Sequence, residues 1–426
     1  MPADWSTGVL ADLCSAVDYG FTASASSNPD AGPKFLRITD IRQDRLHWGD
    51  VPHVEISPDK LPRYVLGYGD IVVARTGAFT GANAYVVPPV TTVFASYLVR
   101  LRAGPRLCSR FAYYFMQSQV YRDHVAGVVG GSAQPNASAR ALTQVEMPLP
   151  PLDEQHRIAA VLGALDDKIE LNRRMNETLE QAAQAIFRAS FIDFSDHNDL
   201  VDSELGPKPR TWVISSIADQ YPHWKTGIVK TGPFGSKLHA SDYSDDGVPL
   251  VLVKHVQHGH IAHCGTPRVG YRKLPEVMEY RLRPEDIVVT RVGRVGDSAR
   301  VERYQEGWLF SGQTLRVRLP LGGPVRPLWL YYWYRSPPFL EAIDAHSVGS
   351  TRASLNTEIL GRMRFVLPPA SKQLHFESSV AHIWERMSAS RRESETLGAI
   401  RDALLPKLIS GELRVPDAER VVGEVV

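Results

Sequence analysis

The sequence predicts an α+β fold: a tandem repeat of two mixed α/β domains separated by two long helices that form an antiparallel intramolecular coiled coil. Three observations carry this expectation. A pattern of residues recurs at one spacing through most of the chain. Short β-branched apolar runs bounded by glycine and polar residues mark buried strands in each half. A long segment without interior proline carries an apolar seam with steps of four and three.

The repeat is the firmest of the three. Asp70-Ile71-Val72-Val73-Ala74-Arg75-Thr76-Gly77 returns as Asp286-Ile287-Val288-Val289-Thr290-Arg291-Val292-Gly293, a shift of 216 residues. Phe111-Ala112-Tyr113-Tyr114-Phe115 answers to Trp329-Leu330-Tyr331-Tyr332-Trp333 at a shift of 218. That shift holds at Gly131-Ser132 and Gly349-Ser350, at Leu149-Pro150-Pro151 and Leu367-Pro368-Pro369, and at Gln155 and Gln373. It still holds at Glu177-Thr178-Leu179 against Glu395-Thr396-Leu397. The chain is therefore a duplication, each half a globular region followed by one long helix.

Within the globular regions Asp-Ile-Val-Val reads as a buried strand, and residues 94–101 and 309–319 read as further strands. The aromatic segments 111–121 and 329–345 read as helices. From residue 153 to about residue 190 only Gly163 interrupts good helix formers. The seam there is Ile158, Leu162, Leu165, Ile169, Asn172, Asn176, Leu179, Ala183 and Ile186. Its counterpart is Phe376, Val380, Ile383, Met387, Ser390, Ser394, Leu397, Arg401 and Leu404. Both seams are polar at their centres. Antiparallel pairing matches polar centre with polar centre, and a pseudo-twofold between the halves favours it over parallel pairing. The alternative is a helix that only covers its own domain, but about 38 residues at 1.5 Å each, roughly 57 Å, exceed what one small domain needs.

Composition bounds the function. The 426 residues carry 48 Lys+Arg against 47 Asp+Glu, a net charge of +1, with 22% charged and 43% hydrophobic residues. This excludes a disordered chain and a globally basic nucleic-acid binder, and about 150 residues per domain implies two to three domains. Cys14, Cys108 and Cys264 lie far apart, which argues against a disulfide framework or a cysteine zinc site. No leader pattern and no long apolar run is present, so a soluble cytoplasmic protein is expected. Charge is separated locally. Residues 31–110 hold 11 Lys/Arg against 6 Asp/Glu, and residues 268–318 hold 11 against 7. Residues 151–200 hold 5 against 10. Basic globular regions and an acidic helix suit phosphates on the one and a protein partner on the other.

Leu149-Pro150-Pro151-Leu152-Asp153-Glu154-Gln155-His156-Arg157-Ile158, followed by Leu165-Asp166-Asp167-Lys168-Ile169-Glu170-Leu171-Asn172, closely resembles the central conserved region of type I restriction–modification specificity subunits. Leu404-Leu405-Pro406-Lys407-Leu408-Ile409-Ser410-Gly411-Glu412-Leu413 resembles their distal conserved region. Thr231-Gly232-Pro233-Phe234-Gly235-Ser236 and Val17-Asp18-Tyr19-Gly20-Phe21-Thr22-Ala23-Ser24 look like stretches of that family's target-recognition domains. The resemblance covers essentially the whole chain. It implies target-recognition domains at 1–150 and 199–369, coiled-coil helices at 151–198 and 370–413, and a tail at 414–426. It further implies a non-catalytic subunit that reads an interrupted double-stranded DNA site. Two methyltransferase subunits would dock on the helices, and restriction subunits would join them. Cofactors would belong to those partners: S-adenosylmethionine to the methyltransferase, ATP and Mg to the motor and nuclease.

Arg75 and Arg291 lead the candidates for DNA contact. Each follows a buried strand and precedes a glycine, and a guanidinium fork fits guanine or phosphate. Their repetition favours phosphate, since two domains reading different sequences share them; the alternative is an arginine bracing its own loop. Thr76 and Arg294 adjoin them. Gln134, Asn136 and Arg352 lie in the repeated Gly-Ser loops and are placed to reach base edges. Tyr19, Thr22, Ser24, Lys34 and Arg37 in one domain, and Ser236, Lys237, Lys254 and His255 in the other, do not repeat. There the sequence choice of the two domains would differ.

Three catalytic patterns are weighed and set aside. Ser336-Pro337-Pro338-Phe339 has the form of an amino-methyltransferase tetrapeptide but aligns with Ser118-Gln119-Val120-Tyr121 and lacks a glycine-rich cofactor loop. His255, His258, His260, His263 and Cys264 invite zinc, yet they read better as a hairpin after a strand. Asp166-Asp167-Lys168 has nuclease-like residues on a coiled-coil helix, where solvation or partner docking is expected instead. A stand-alone methyltransferase and a protein-only coiled-coil scaffold are the rival functions.

Overall fold

The computed structural model describes residue 2 and residues 4–42, 45–129, 136–233, 235, 237–257, 259–262, 265–320, 322–347 and 354–423. The chain divides into two compact units, Met1–Leu171 with Glu393–Val426, and Asn172–Arg392.

In the first unit, Ile71–Ala74 is buried at all four positions, as an apolar β-branched run at the centre of a sheet must be. It lies between Asn83–Tyr85 and Leu98–Ala103, with Cys14–Tyr19 beyond the latter, and every pairing is antiparallel. Alternation sends Ile71 and Val73 into a core with Phe111, Tyr114 and Phe115, while Val72 and Ala74 join Leu36, Ile41 and Val51. Lys34–Leu36 pairs parallel with Thr92–Phe94, and Ser6–Val9 pairs antiparallel with Glu146–Leu149.

The second unit repeats that scheme. The counterpart of the central sheet, one of two four-stranded sheets in this unit, runs Val229–Thr231, Thr314–Val317, Ile287–Thr290, Ser298–Arg300. Val248–Val251 and Leu309–Phe310 form the parallel pair, Val213–Ser215 and Phe365–Leu367 the antiparallel one. Even the charge that opens the central strand is copied. Asp70 caps the Gly67 N–H (2.9 Å) and binds Arg102 (3.0 and 3.1 Å). Asp286 caps the Arg283 N–H (2.8 Å) and binds Arg318 (2.7 and 2.6 Å).

The expected strands 94–101 and 309–319 are each cut by a turn. In the first the Leu98 N–H returns to the Ala95 carbonyl (2.9 Å); in the second the Thr314 N–H returns to Ser311 (3.0 Å). The chain thereby leaves the parallel pair and enters the four-stranded sheet. The aromatic segments are likewise two helices each: Ser109–Met116 and Gln119–Val129, then Pro327–Trp333 and Pro337–Ser347.

The long helices are Leu152–Phe191 and Ala370–Ser410. They pair antiparallel in both units. In the first, Asp166 meets Arg401 (2.7 Å) and Lys168 meets Glu393 (3.3 Å). In the second, Phe187 packs on Phe376 (ring centroids 5.4 Å), while the Asn172 amide and the Ser390 hydroxyl each reach the other residue's carbonyl (3.5 Å). Ser390 is the repeat equivalent of Asn172. An antiparallel pair brings a residue against its own equivalent only at the centre of its register, so the polar step marks that centre.

Most of the expected seam is buried, from Ile158 to Asn172 and at Ala183, Phe376, Val380, Met387, Leu397 and Leu404. Two positions are corrected. Ile186 is 36% exposed while Phe187 is buried, and Trp384 is buried where Ile383 is only partly so. Here the helices face an aromatic wall as well as each other: Phe187 sits on Trp329 and Tyr332, and Trp384 on Tyr331. A one-residue slip turns the buried stripe by about 100°, toward that wall. Gly163, the one gap in the first helix, leaves room for Arg110, whose guanidinium donates to the Gly163 carbonyl (3.2 Å) and to Asp167 (3.0 Å).

A buried glutamine fastens each globular part to its helix. The Gln155 amide donates to the carbonyls of Pro150 (2.9 Å) and Arg106 (3.1 Å), and its oxygen accepts from the Cys108 N–H (2.8 Å). Gln373 does the same with Pro368 (3.0 Å), Pro324 (2.9 Å) and the Arg326 N–H (2.9 Å).

Candidate nucleic-acid interface

One end of the first unit's sheet gathers several of the residues singled out by sequence. Cys14–Tyr19 and Ile71–Ala74 both finish there, and Leu98–Ala103 begins there, because antiparallel pairing sets Tyr19 opposite Val99 and Ala74 opposite Leu98. Gly20 follows in close contact with the Phe94 and Ala95 carbonyls, where a Cβ would collide. The Arg75 N–H donates to the Tyr97 carbonyl (3.0 Å), and the Arg75 carbonyl accepts from Ala137 (2.9 Å). Its side chain spans the same gap, with Nε to the Ala137 carbonyl (3.3 Å), Nη2 to Asn136 Oδ1 (3.1 Å) and the Tyr19 ring 4.9 Å away. Tyr19 Oη in turn accepts from the Ala139 N–H (2.8 Å). Thr76 bridges Asn136 through the backbone. Thr22 and Ser24 are exposed on the segment leaving this end.

The second unit builds the same end. The Arg291 N–H donates to the Gln313 carbonyl (3.1 Å), the Arg291 carbonyl accepts from Leu355 (2.9 Å), and Nη1 reaches the Gly312 carbonyl (3.3 Å). Gly232 repeats Gly20, pressed against the Phe310 and Ser311 carbonyls. Arg294 is exposed on the following loop and pairs with Asp297 (3.1 Å).

Other candidates serve the fold where they stand. Lys34 Nζ donates to the carbonyls of Trp48 (2.8 Å) and Val51 (3.3 Å). Arg37 grips Asp40 with Nε (3.2 Å) and Nη2 (3.0 Å). His255 is a correction: it is 2% exposed, and Nδ1 accepts from the Leu252 N–H (3.0 Å), so it closes a turn instead of facing a ligand. Lys254 beside it is exposed. Lys237 pairs with Glu279 (3.0 Å), which Lys230 also grips (2.5 Å); the two ammonium groups push the Glu279 carboxyl down to about 2. Gln134, Ser236 and Arg352 lie outside the described residues.

The catalytic look-alikes have structural partners. Ser336 Oγ donates to the Trp333 carbonyl (2.7 Å), and Phe339 is wholly buried against Trp333 and Tyr334. Asp166, expected to be solvated or a docking surface, accepts from Tyr114 (2.8 Å) and Arg401 (2.7 Å); Asp167 holds Arg110 and Lys168 holds Glu393. The three residues fasten their own unit. Val256–Gln257 and His260–Ile261 form the expected hairpin, with His258, His263 and Cys264 outside the described residues. Among the described residues no group of three or more His, Cys, Asp or Glu is placed to hold a metal ion, and no helix is long and apolar enough to cross a membrane.

Two side chains escaped the sequence reading. Tyr97 and Gln313 are exposed on the equivalent turns that anchor Arg75 and Arg291. The repeat held the signal: both positions sit three residues after a repeated phenylalanine, Phe94 and Phe310, and there the repeat changes chemistry.

The model of the type I restriction modification DNA specificity domain matches residues 2–181 of this chain. Similar proteins include the type I restriction enzyme MjaIX specificity subunit of Methanocaldococcus jannaschii, 27% identical over 72% of this chain and 70% of that protein. The HindI specificity subunit of Haemophilus influenzae is 20% identical over 96% of this chain and 100% of that protein. Among solved structures, the S subunit of a type I restriction–modification system from M. genitalium shares the fold, with a TM-score of 0.53 at 15% identity over 95% of this chain and 96% of that one. Sequence motifs, the duplicated architecture and these relatives agree: residues 2–181 carry the type I restriction modification DNA specificity domain, and nearly the whole chain is similar to type I restriction–modification specificity subunits.

Proposed function

We propose that this chain is the non-catalytic DNA-reading subunit of a type I restriction–modification enzyme, and that each globular unit takes one half of an interrupted site. The observation that carries the reading is the duplicated sheet end, where Arg75 and Arg291 are held by the same pair of backbone hydrogen bonds. A cation repeated on one rigid mount suits what two different half-sites have in common, the phosphate backbone. In the first unit Nε and Nη2 of Arg75 are used internally, and Nη1 remains to meet a phosphate oxygen. Tyr19, Thr76 and Asn136 adjoin it, Thr22 and Ser24 are exposed on the segment that follows Tyr19, and Arg294 with Lys254 and Lys237 offers the second unit further cations. Lys34 and Arg37 would contribute only by releasing their present partners.

The long helices then serve as the platform for methyltransferase subunits, two by the symmetry of the repeat, with restriction subunits joining that core. S-adenosylmethionine, ATP and Mg would be bound by those partners. Co-expression with a type I methyltransferase subunit from the same genome, followed by methylation-sensitive sequencing of host DNA, tests the reading. One interrupted motif is expected, changing in a single half when residues 1–150 are exchanged for those of a relative. A stable complex with some other protein and no methylation would return the scaffold reading.

A further inference from the structure

Tyr97 and Gln313 occupy equivalent positions whose mounting is constant and whose chemistry is not. Each carbonyl accepts the N–H of the repeated arginine, at 3.0 Å for Tyr97 and 3.1 Å for Gln313. The residue after each is a buried strand residue, Leu98 or Thr314, whose N–H closes the turn onto Ala95 or Ser311. Three residues before each is a fully buried phenylalanine, Phe94 or Phe310. The backbone at both positions is therefore fixed from three sides. The side chains are not needed by the fold: Tyr97 is 59% exposed, Gln313 is exposed, and neither makes a side-chain hydrogen bond among the described residues. A large ring on a tight turn next to a cation is thus left more than half exposed.

We propose that Tyr97 and Gln313 are equivalent base-reading residues, one for each half-site, and that both select an A·T pair. The Gln313 amide matches adenine in the major groove, accepting from N6 and donating to N7. The Tyr97 ring supplies the apolar face that contacts a thymine C5-methyl group. The adjacent arginine holds the backbone of the same strand, so its phosphate contact sets the register in which the neighbouring side chain reads. This inference rests on each unit being a DNA reader.

The test is methylation-sensitive sequencing of cells that co-express the methyltransferase with the parent chain, with Gln313→Ala or with Tyr97→Ala. Exchange of residues 1–150 assigns each half of the motif to a unit. Gln313→Ala is expected to relax one adenine position in the second unit's half-site, with discrimination there falling roughly ten- to a hundredfold. Tyr97→Ala is expected to relax one thymine position in the other half, and each variant leaves the untouched half at parental strictness. That untouched half also reports that the protein has folded. Retention of the parent's preference at every position, or a uniform fall in methylation with no change of motif, would overturn the proposal. A parent chain that yields no interrupted motif would instead overturn the reading beneath it.

Discussion

A buried arginine is stabilising only if something answers its charge, and the two units answer differently. Arg100 is 5% exposed and donates to the carbonyls of Val65 (2.9 Å) and Arg63 (3.3 Å) and to Asp18 (2.5 Å). Its equivalent Arg316 is 3% exposed, but Lys230 stands where Asp18 would be, opposite it on the neighbouring strand. Arg316 bonds the Gly227 carbonyl and has no carboxylate at ion-pair distance among the described residues; burial and the nearby Arg318 push it down to about 10. Arg100→Met should therefore cost roughly 2–4 kcal/mol, since it strands two carbonyls and a half-buried carboxylate. Arg316→Met should lie within about 1 kcal/mol of the parent or stabilise it, because it removes a desolvated charge and keeps the volume. Urea denaturation of the two variants decides this, and equal losses would refute the distinction. The same contrast explains what the sequence could disclose at this scale. Arg75 and Arg291 were legible because a repeated cation after a buried strand is a pattern. The carbonyls that occupy Lys34, and the turn that buries His255, come from distant segments and leave no local trace.

Elements were more legible than residues, because helix and strand periods are local properties. The central strands, the two long helices and their polar centres follow from apolar spacing alone. The slip from Ile186 to Phe187 was not visible, since it depends on an aromatic wall contributed by residues more than a hundred positions away. Nor was the function of Gln155 and Gln373, whose repetition was plain but whose partners are backbone groups. Replacing Gln155 by Leu leaves the Cys108 N–H and the Pro150 carbonyl buried without these partners and removes the bond to the part-buried Arg106 carbonyl. The expected cost is roughly 2–4 kcal/mol, with amide exchange accelerated near residues 106–109. Gln373→Leu should act equally at residues 324–326, and unchanged exchange in both would show the bracket to be incidental. The Asn172–Ser390 step predicts the opposite sign. The two hydrogen bonds that join the pair are long (3.5 Å), and a Leu at both positions would bury apolar surface along the seam, so the double variant should melt higher by an amount equivalent to roughly 1–3 kcal/mol. A lower melting temperature would mean that the polar pair contributes more than the apolar surface it displaces.

At the scale of the whole molecule, a net charge of +1 over 426 residues leaves little general attraction to DNA. On the proposed reading, recognition then depends on where a few cations are held and on the spacing between two sets of them. On that same reading the paired helices act as the ruler for that spacing. The ruler can be lengthened without disturbing the readers, because a heptad inserted into each helix restores the a/d pattern beyond the insertion. The two insertions must be placed at equivalent distances from Asn172 and Ser390, so that the seam stays in antiparallel register. Seven added residues lengthen a helix by roughly 10 Å at 1.5 Å per residue. At 3.4 Å per base pair that corresponds to about three base pairs. The variant is expected to methylate the same two half-sites with a spacer longer by about three, read out by sequencing modified DNA. Inserting four residues instead of seven breaks the seam period and adds a rotation, so it should lower activity more than the heptad does. A heptad variant that keeps the parental spacer at full activity would show that the distance between half-sites is set elsewhere, in the methyltransferase subunits or in the DNA, and the helices would then be a docking platform alone.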